Sequence, residues 1–223
     1  MRLRHHSKRR VLQLALHLSM ACVSVQGQEV FFAREFLLTR QFKPGVDVWP
    51  GEPPPVALHS MGFYAAGTFQ TGYGSSLGPP DFQGLLRSYD LAGNELWTRQ
   101  IPAQGAVCSS CPPSNGAFPT AMAADGAAVY VAGHVGFGNT DVFVRKYDQR
   151  GNELWSRQLR MSDTGNNVGG MGVDSSGIYI AAWNYDSQAF LRKYSPAGDE
   201  IWTRPLAART LKGVAVNGSG LYV

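Results

Sequence analysis

Two cysteines are the residues of this 223-residue sequence with the most obvious capacity for chemistry. Cys108 and Cys111 stand in "CSSCPPSNG", among Ser, Pro, Asn and Gly, which indicates a loop. A redox C-x-x-C pair normally opens a helix, so a loop favours another role. In an exported protein, two nearby cysteines usually form a disulfide. We therefore predict a Cys108–Cys111 disulfide, with free thiols and redox or metal chemistry as the alternatives.

Carboxylates beside turns could serve a glycosidase, which needs a placed pair of acidic groups. Glu95 and Glu153 are the candidates, and each occupies the same position after a turn in one of two nearly identical segments. A residue that recurs in this way is more often structural than catalytic. The turns also lack the dense Asp ladder of a calcium loop. The sequence therefore predicts no catalytic, cofactor-binding or metal-binding residue.

The histidines and the basic pairs give equally weak indications of a site. His59 and His134 lie in aligned regions, where strand-end surface residues are expected rather than metal ligands. The pairs Arg145–Lys146 and Arg192–Lys193 place one charge on each side of a strand. We interpret them as a solvated edge, with a repeated contact to an anionic ligand as the alternative.

A thirteen-residue phrase recurs three times and determines the architecture. It appears as "YDLAGNELWTRQI" at 89–101, "YDQRGNELWSRQL" at 147–159 and "YSPAGDEIWTRPL" at 194–206. Between these copies lies a second phrase, as in "MAADGAAVYVAG" at 122–133 and "GVDSSGIYIAAW" at 172–183. Such a period predicts a repeat architecture. Its structural positions are the recurring aromatics Tyr89, Trp97, Tyr147, Trp155, Tyr194 and Trp202.

Each repeat resolves into four short strands joined by turns. In the third repeat we predict strands at 168–174, 178–183, 189–194 and 200–206, of which the later ones alternate polar and apolar residues. Turns such as "DQRGN" place Asp first and Gly where a positive φ is needed. Four antiparallel strands per repeat predict an all-β fold, a β-propeller of four-stranded antiparallel blades. Each recurring aromatic would then fill the gap between adjacent blades.

The phrase "DVFVRKYDQRGNELWSRQL", followed by "GVDSSGIYIAAW", resembles the bacterial SBBP β-propeller repeat. The resemblance covers about residues 57–223 and implies an exported propeller with a binding or scaffold role and no catalytic residues. A quinoprotein dehydrogenase is an alternative, because its blades carry a related Asp-Gly-Trp phrase. A sialidase-like glycosidase is another, because Ser88, Asp90 and Trp97 imitate its Asp-box. The cysteines and the late Gly93 depart from those two patterns.

The N-terminal residues predict export. Residues 1–10 hold five of the twenty Lys and Arg residues, and a 15-residue apolar run follows them, so residues 1–27 are expected to be a signal peptide. Without this segment, 15 basic residues face 16 acidic ones, which argues against a nucleic-acid partner. A secreted, cell-surface or periplasmic location follows. Membrane attachment is expected only if Cys22 is lipidated or the signal stays uncleaved.

The predicted organisation is a single strand at 35–42, blades at 54–101, 118–159 and 168–206, and a partial blade at 211–223. Only about three to four blades are present, three of them complete, whereas a closed ring normally takes four to eight. The chain is therefore expected to be a fragment of a larger, seven-bladed ring.

The predicted function is binding or scaffolding outside the cytoplasm, toward a protein or carbohydrate ligand and without a cofactor. The insert "CSSCPPSNG" and the stretch 67–81 vary most between repeats. Because variable loops on a rigid scaffold usually carry specificity, they form the candidate contact surface.

Overall fold

The computed structural model describes residues 54–70, 82–103, 116–136, 141–159 and 165–223, together with the backbone of 23–25 and 28–30. The chain divides into two compact units, Met1–Pro44 and Gly45–Val223. In the first unit, β1 (Val23–Val25) pairs antiparallel with β2 (Gln28–Val30). The predicted signal peptide, the predicted strand at 35–42 and both cysteines of the candidate disulfide lie outside the residues whose side chains are described.

The second unit is built from antiparallel sheets whose strands follow one another in chain order. Sheet 1 contains β3 (Val56–His59), β4 (Gly62–Gln70), β5 (Phe82–Asp90) and β6 (Glu95–Ile101). Sheet 2 contains β7 (Ala117–Ala124), β8 (Ala128–Val135), β9 (Asp141–Asp148) and β10 (Glu153–Leu159). Sheet 3 contains β11 (Asn166–Asp174), β12 (Gly177–Asn184), β13 (Ala189–Tyr194) and β14 (Glu200–Leu206). Sheet 4 contains β15 (Ala215–Asn217) and β16 (Gly220–Tyr222).

The all-β prediction of four-stranded antiparallel sheets is confirmed, and the described residues contain no helix. In the third repeat, the bounds of β13 and β14 are those expected from the sequence. The turn between the third and fourth strands has the predicted chemistry in each of the three four-stranded sheets. Its glycine has a positive φ, of 77° at Gly93, 79° at Gly151 and 87° at Gly198. A preceding polar side chain accepts a backbone hydrogen bond four residues on, as when Asn152 N donates to Asp148 Oδ1 over 2.8 Å.

Successive sheets pack face to face through three apolar layers. The first layer joins sheets 1 and 2, the second joins sheets 2 and 3, and the third joins sheet 3 to sheet 4. Their largest completely buried side chains include Tyr64, Tyr130, Phe143, Leu86, Ile178 and Ile180. Sheet 2 is therefore covered on both faces, and the central strands β8 and β9 are buried along most of their length.

The sheets approach one another most closely along their first strands. β3, β7, β11 and β15 contact each other in succession. Small residues permit this approach. A Cβ added at Gly169 would lie 1.7 Å from Leu211 O, and one at Gly170 would lie 2.6 Å from Gly213 Cα. The first strands therefore form the close-packed side of the stack, which leaves the fourth strands to be bridged by larger side chains.

Candidate functional site

The antiparallel strand order divides the connections between two edges of the sheets. The turns after the first and third strands lie at one edge, which we call the turn edge. It contains the third-strand turns 91–94, 149–152 and 195–199, and the first-strand turns 60–61, 125–127, 175–176 and 218–219. The connections after the second and fourth strands lie at the opposite edge, which we call the loop edge. The strand ends that flank the two predicted contact loops lie at this loop edge, whereas residues 71–81 and 104–115 of those loops lie outside the described residues.

At the turn edge, a Trp–Arg pair on β6 contacts the next sheet. Trp97 Nε1 donates a hydrogen bond to Gln149 O over 2.9 Å. Arg99 donates from Nε to Gly151 O over 2.9 Å and from Nη2 to Arg150 O over 3.0 Å. Three successive carbonyl oxygens of one turn thus accept from two side chains. The turn of sheet 2 is held by the fourth strand of sheet 1.

The same contact recurs between sheets 2 and 3. Trp155 Nε1 donates to Pro196 O over 3.1 Å, and Arg157 Nε donates to Gly198 O over 2.7 Å. Lys146 Nζ adds a second donor to Pro196 O at 3.0 Å. The interfaces between the four-stranded sheets therefore repeat one mechanism, in which an indole and a guanidinium satisfy carbonyl groups that a tight turn leaves without a backbone partner.

A tyrosine and an arginine of its own sheet contact each of the three repeat tryptophans and position its ring. Trp97, Trp155 and Trp202 contact Tyr64, Tyr130 and Tyr179 of the second strands at ring-centroid distances of 5.8, 6.3 and 6.1 Å. The arginine two residues later lies over the indole at 5.5, 5.6 and 4.7 Å in the three sheets. The predicted repeat tyrosines are buried at the ends of the third strands, with Tyr89 4%, Tyr147 2% and Tyr194 2% exposed.

The arginines Arg99 and Arg157 are interface residues that the sequence reasoning did not single out. Their signal was present, since "WTR" and "WSR" recur at the same place in each thirteen-residue phrase. The sequence reasoning considered the recurring Trp only as a residue that fills the space between sheets. The Arg two positions later lies on the same face of the strand and so contacts the same neighbouring sheet.

The carboxylates that could have formed a glycosidase pair are in ion pairs within their own sheets. Glu153 Oε2 lies 2.9 Å from Arg145 Nη1, and Glu95 Oε2 lies 3.6 Å from Arg87 Nη1. Sheet 3 repeats the arrangement with Arg192 and Glu200 at 3.0 Å. Each glutamate thus faces a third-strand arginine, which gives its recurrence a structural cause.

The interpretation of the basic pairs as a solvated edge is wrong at Arg145. Its side chain is only 3% exposed, and Nη2 also donates to Pro102 O over 2.7 Å. Burial occurs because sheet 1 covers the face of β9 on which Arg145 lies. Lys146 contacts the turn of sheet 3, and Lys193 Nζ donates to Ser176 Oγ over 2.9 Å. The described basic pairs are therefore engaged in protein contacts.

His134 lies near the end of its strand, as expected, and is half-buried. The residue lies in β8, and its ring stacks on Phe118 with centroids 5.0 Å apart and an interplanar angle of 12°. Burial lowers the pKa of His134 to about 4, so the imidazole is neutral near pH 7. Burial also lowers the pKa of His59, whose ring lies 4.5 Å from that of Tyr64. Neither histidine lies in a group of three or more metal-binding side chains within the described ranges.

The strand ends that flank the two longest connections of the loop edge pack against one another. The stretch 71–81 begins after Gln70 and ends before Phe82, two residues that pair directly across β4 and β5. Phe82 is 1% exposed, and its ring lies 5.5 Å from that of Phe118 at the start of β7. Thr68 Oγ1 donates to Ala117 O over 3.3 Å, which joins sheets 1 and 2 beside the stretch 104–116. The two longest connections therefore end at strand residues that pack together. We call Phe82, Phe118 and Ala117 the platform.

Cys108 and Cys111 belong to the part of this connection that the structure does not describe, so their disulfide stays a prediction. In the described part of the chain, no helix is long and apolar enough to cross a membrane.

The sequence matches no protein-family model and no curated protein. The functional argument therefore depends on the two edges and their residues.

Proposed function

We propose that this chain is an exported β-propeller repeat module of the SBBP type, acting outside the cytoplasm of a bacterium as a non-catalytic binding or scaffold protein. Its contact surface is the loop edge, and its ligand is a protein or a carbohydrate. The turn edge holds neighbouring sheets together.

The arrangement of the sheets supports the propeller. First strands in succession lie close together, with glycine where backbones meet, whereas the fourth strands need Trp and Arg to reach the next sheet. Sheets that diverge in this way fan out around their first strands, as blades do around an axis. Each sheet buries its faces only against its neighbours, as repeat proteins require.

One observation carries the binding role. The carboxylates and arginines considered for chemistry at the turn edge make contacts that recur from sheet to sheet. Variation between repeats is concentrated in the connections of the loop edge, above the platform of Phe82, Phe118 and Ala117. Variable segments on a rigid support are where recognition commonly occurs.

Replacing residues 105–115 with a short Gly-Ser linker tests this role. The replacement stops before Ala117 because that residue begins β7 and is completely buried. We expect binding to an array of immobilised polysaccharides and purified extracellular proteins to be lost, with the free energy of unfolding changed by less than about 0.5 kcal/mol, since loop closure depends weakly on length.

The matched control is Arg150→Ala at the turn edge. Its side chain is exposed, and its interface contact is made by the backbone carbonyl. This variant should keep the binding profile of the parent chain. Loss of binding in Arg150→Ala but not in the loop variant would place the contact surface at the turn edge and contradict the proposal.

A further inference from the structure

The turn between the first and second strands has the same hydrogen bonds in sheets 2, 3 and 4. Its first position is occupied by Asp125, Asp174 and Asn217. In each turn, the side-chain Oδ1 accepts from the backbone N–H groups two and three residues later. The distances are 2.8 and 2.8 Å in sheet 2, 2.8 and 3.1 Å in sheet 3, and 2.9 and 3.2 Å in sheet 4. Asparagine therefore makes the same turn in sheet 4 as aspartate makes in the other two sheets.

The three turns differ at the second polar atom of this side chain. In sheet 2, Tyr130 OH donates to Asp125 Oδ2 over 2.9 Å, and in sheet 3, Tyr179 OH donates to Asp174 Oδ2 over 3.4 Å. Sheet 4 has a tyrosine at the same spacing of five residues. Asn217 carries Nδ2 in place of the second oxygen, and an amide nitrogen donates hydrogen bonds and does not accept them. Sheet 4 therefore has the tyrosine of the repeat without its carboxylate acceptor.

Gly218 makes the side-chain amide of Asn217 open to attack by the backbone. Among the asparagines in the described ranges, Asn217 alone precedes a glycine. The Gly218 N–H has no hydrogen-bond acceptor among the described residues, and glycine has no Cβ to obstruct the approach of its nitrogen. Ser219 N and Gly220 N both donate to Asn217 Oδ1. This is the oxygen on which negative charge develops when the amide carbon is attacked, so the two donors stabilise that charge.

Water has access to this turn because of its position in the repeat. Asn217, Gly218 and Ser219 are exposed. Gly126 and Ala127, at the corresponding positions of the four-stranded sheet 2, are exposed as well. The first-strand turn is therefore in contact with solvent in a four-stranded sheet as it is in sheet 4.

We propose that Asn217 is a site of spontaneous deamidation. Gly218 N bonds to Asn217 Cγ, the Cγ–Nδ2 bond breaks, and the proton of the Gly218 N–H ends on Nδ2, which leaves as ammonia. Water then opens the five-membered succinimide ring. Addition of water at Cγ gives aspartate, and addition at the backbone carbonyl carbon gives isoaspartate. The aspartate product gives sheet 4 the carboxylate with which Asp125 and Asp174 bind their tyrosines, and it adds a negative charge to the turn edge.

Peptide mapping of the full chain during incubation at neutral pH tests this reaction. The tryptic peptide that follows Lys212 should gain the mass difference between an amide and an acid with first-order kinetics. The Asn217→Asp variant identifies the aspartate form in the chromatogram and separates it from isoaspartate. The peptide 151–157 is the internal control, because Asn152 lies in an exposed turn and precedes glutamate, and it should keep its amide. Following separate peptides excludes ammonia from Asn115, which also precedes glycine.

Gly218→Ala is the variant that tests the attacking nitrogen. A Cβ there meets nothing within 4 Å and the backbone φ lies outside the left-handed region, so the chain should fold as the parent does. The reaction should slow about tenfold, since the methyl group obstructs the nitrogen. Gly213→Ala is the matched control, because it lies in the same peptide at a glycine with equal space, and it should leave the rate unchanged.

The free peptide of residues 213–220 shows what the folded turn contributes. We expect the folded chain to lose the amide at least as fast as this peptide, because the two backbone donors are held at Oδ1 in the turn. A folded chain that keeps its amide while the peptide loses it would overturn the proposal, since the turn would then protect Asn217. A rate that Gly218→Ala leaves unchanged would overturn it as well.

Discussion

The turn edge and the loop edge of the stacked sheets are formed by the ends of the same strands, but their sequences differ. The turns of the turn edge recur from repeat to repeat, whereas the connections of the loop edge vary. At the turn edge, the turn of sheet 2 and that of sheet 3 accept the same hydrogen bonds from the same residue types. At the loop edge, the connections differ in length and composition from one repeat to the next. A contact that recurs at both interfaces between four-stranded sheets constrains the sequence of each of these repeats, whereas a connection next to a packed strand end is not constrained in this way. Recurrence in this sequence therefore identifies structure, and variation identifies candidate recognition.

The largest expected effect comes from removing a counter-charge at the turn edge. Among the described residues, Glu153→Ala leaves Pro102 O as the remaining hydrogen-bond partner of the buried Arg145 guanidinium outside its own sheet. Breaking one side of a buried ion pair is strongly destabilising, and we expect a loss of about 3 kcal/mol in the free energy of unfolding, measured by urea denaturation. Glu95→Ala is the matched control, because its pair with Arg87 is half exposed. The control should lose less than about 1 kcal/mol, and equal losses would contradict the role of burial.

The next effect tests the fit between turn and tryptophan. Gly151→Ala places a Cβ 3.0 Å from two atoms of the Trp97 ring, in a residue with φ of 79°. We expect a loss of about 2 kcal/mol from the left-handed backbone and the crowded indole together. Gly126→Ala in the neighbouring turn 125–127 is the control, since a Cβ there meets nothing within 4 Å. If thermal denaturation showed the two variants to be equally stable, the indole contact would not restrict this position.

The third effect lies near the loop edge and depends on pH. The pKa of His134 is about 4 in the folded chain and 6.5 as its ordinary value, so unfolding takes up a proton between these values. The stability contributed by neutral His134 is complete above about pH 6.5 and is lost as the pH falls toward 4. We expect a decline of about 2 kcal/mol across this window, after allowing for the partial exposure of the residue. His134→Phe should flatten the curve, and an unchanged slope in urea titrations would exclude His134 as its source.

Much of the fold follows from the sequence, because strand and turn chemistry are local. The bounds of β13 and β14 could be predicted from alternation and from the Gly of "SPAGD". The surroundings of Arg145 and His134 could not. An alternating pattern shows that two faces differ, yet it does not show that a neighbouring sheet covers each of them. His134 stacks on Phe118, its neighbour on the adjacent strand of the same sheet, whereas the burial of Arg145 depends on the stacking of sheet 1 on sheet 2, which is a long-range property.

The proposed contact surface was less accessible to sequence reasoning than the interfaces. Recurrence drew attention to Trp97 and Trp155 because each copy confirms the others. The stretches 71–81 and 104–116 each occur once, so composition alone indicates loops and gives no chemistry. The partner of the predicted contact surface is therefore left to the binding experiment.

The contact between a tryptophan and the following turn always points the same way along the chain. The fourth strand of one sheet supplies the donors, and the later sheet supplies the acceptors. The series of sheets consequently has a direction, as a growing polymer has. In each pair the earlier sheet is the donor and the later sheet is the acceptor. Because a ribosome makes the chain from its N-terminus, each sheet is synthesised before the turn that it will receive. Every folded repeat can then act as a template for the one that emerges after it.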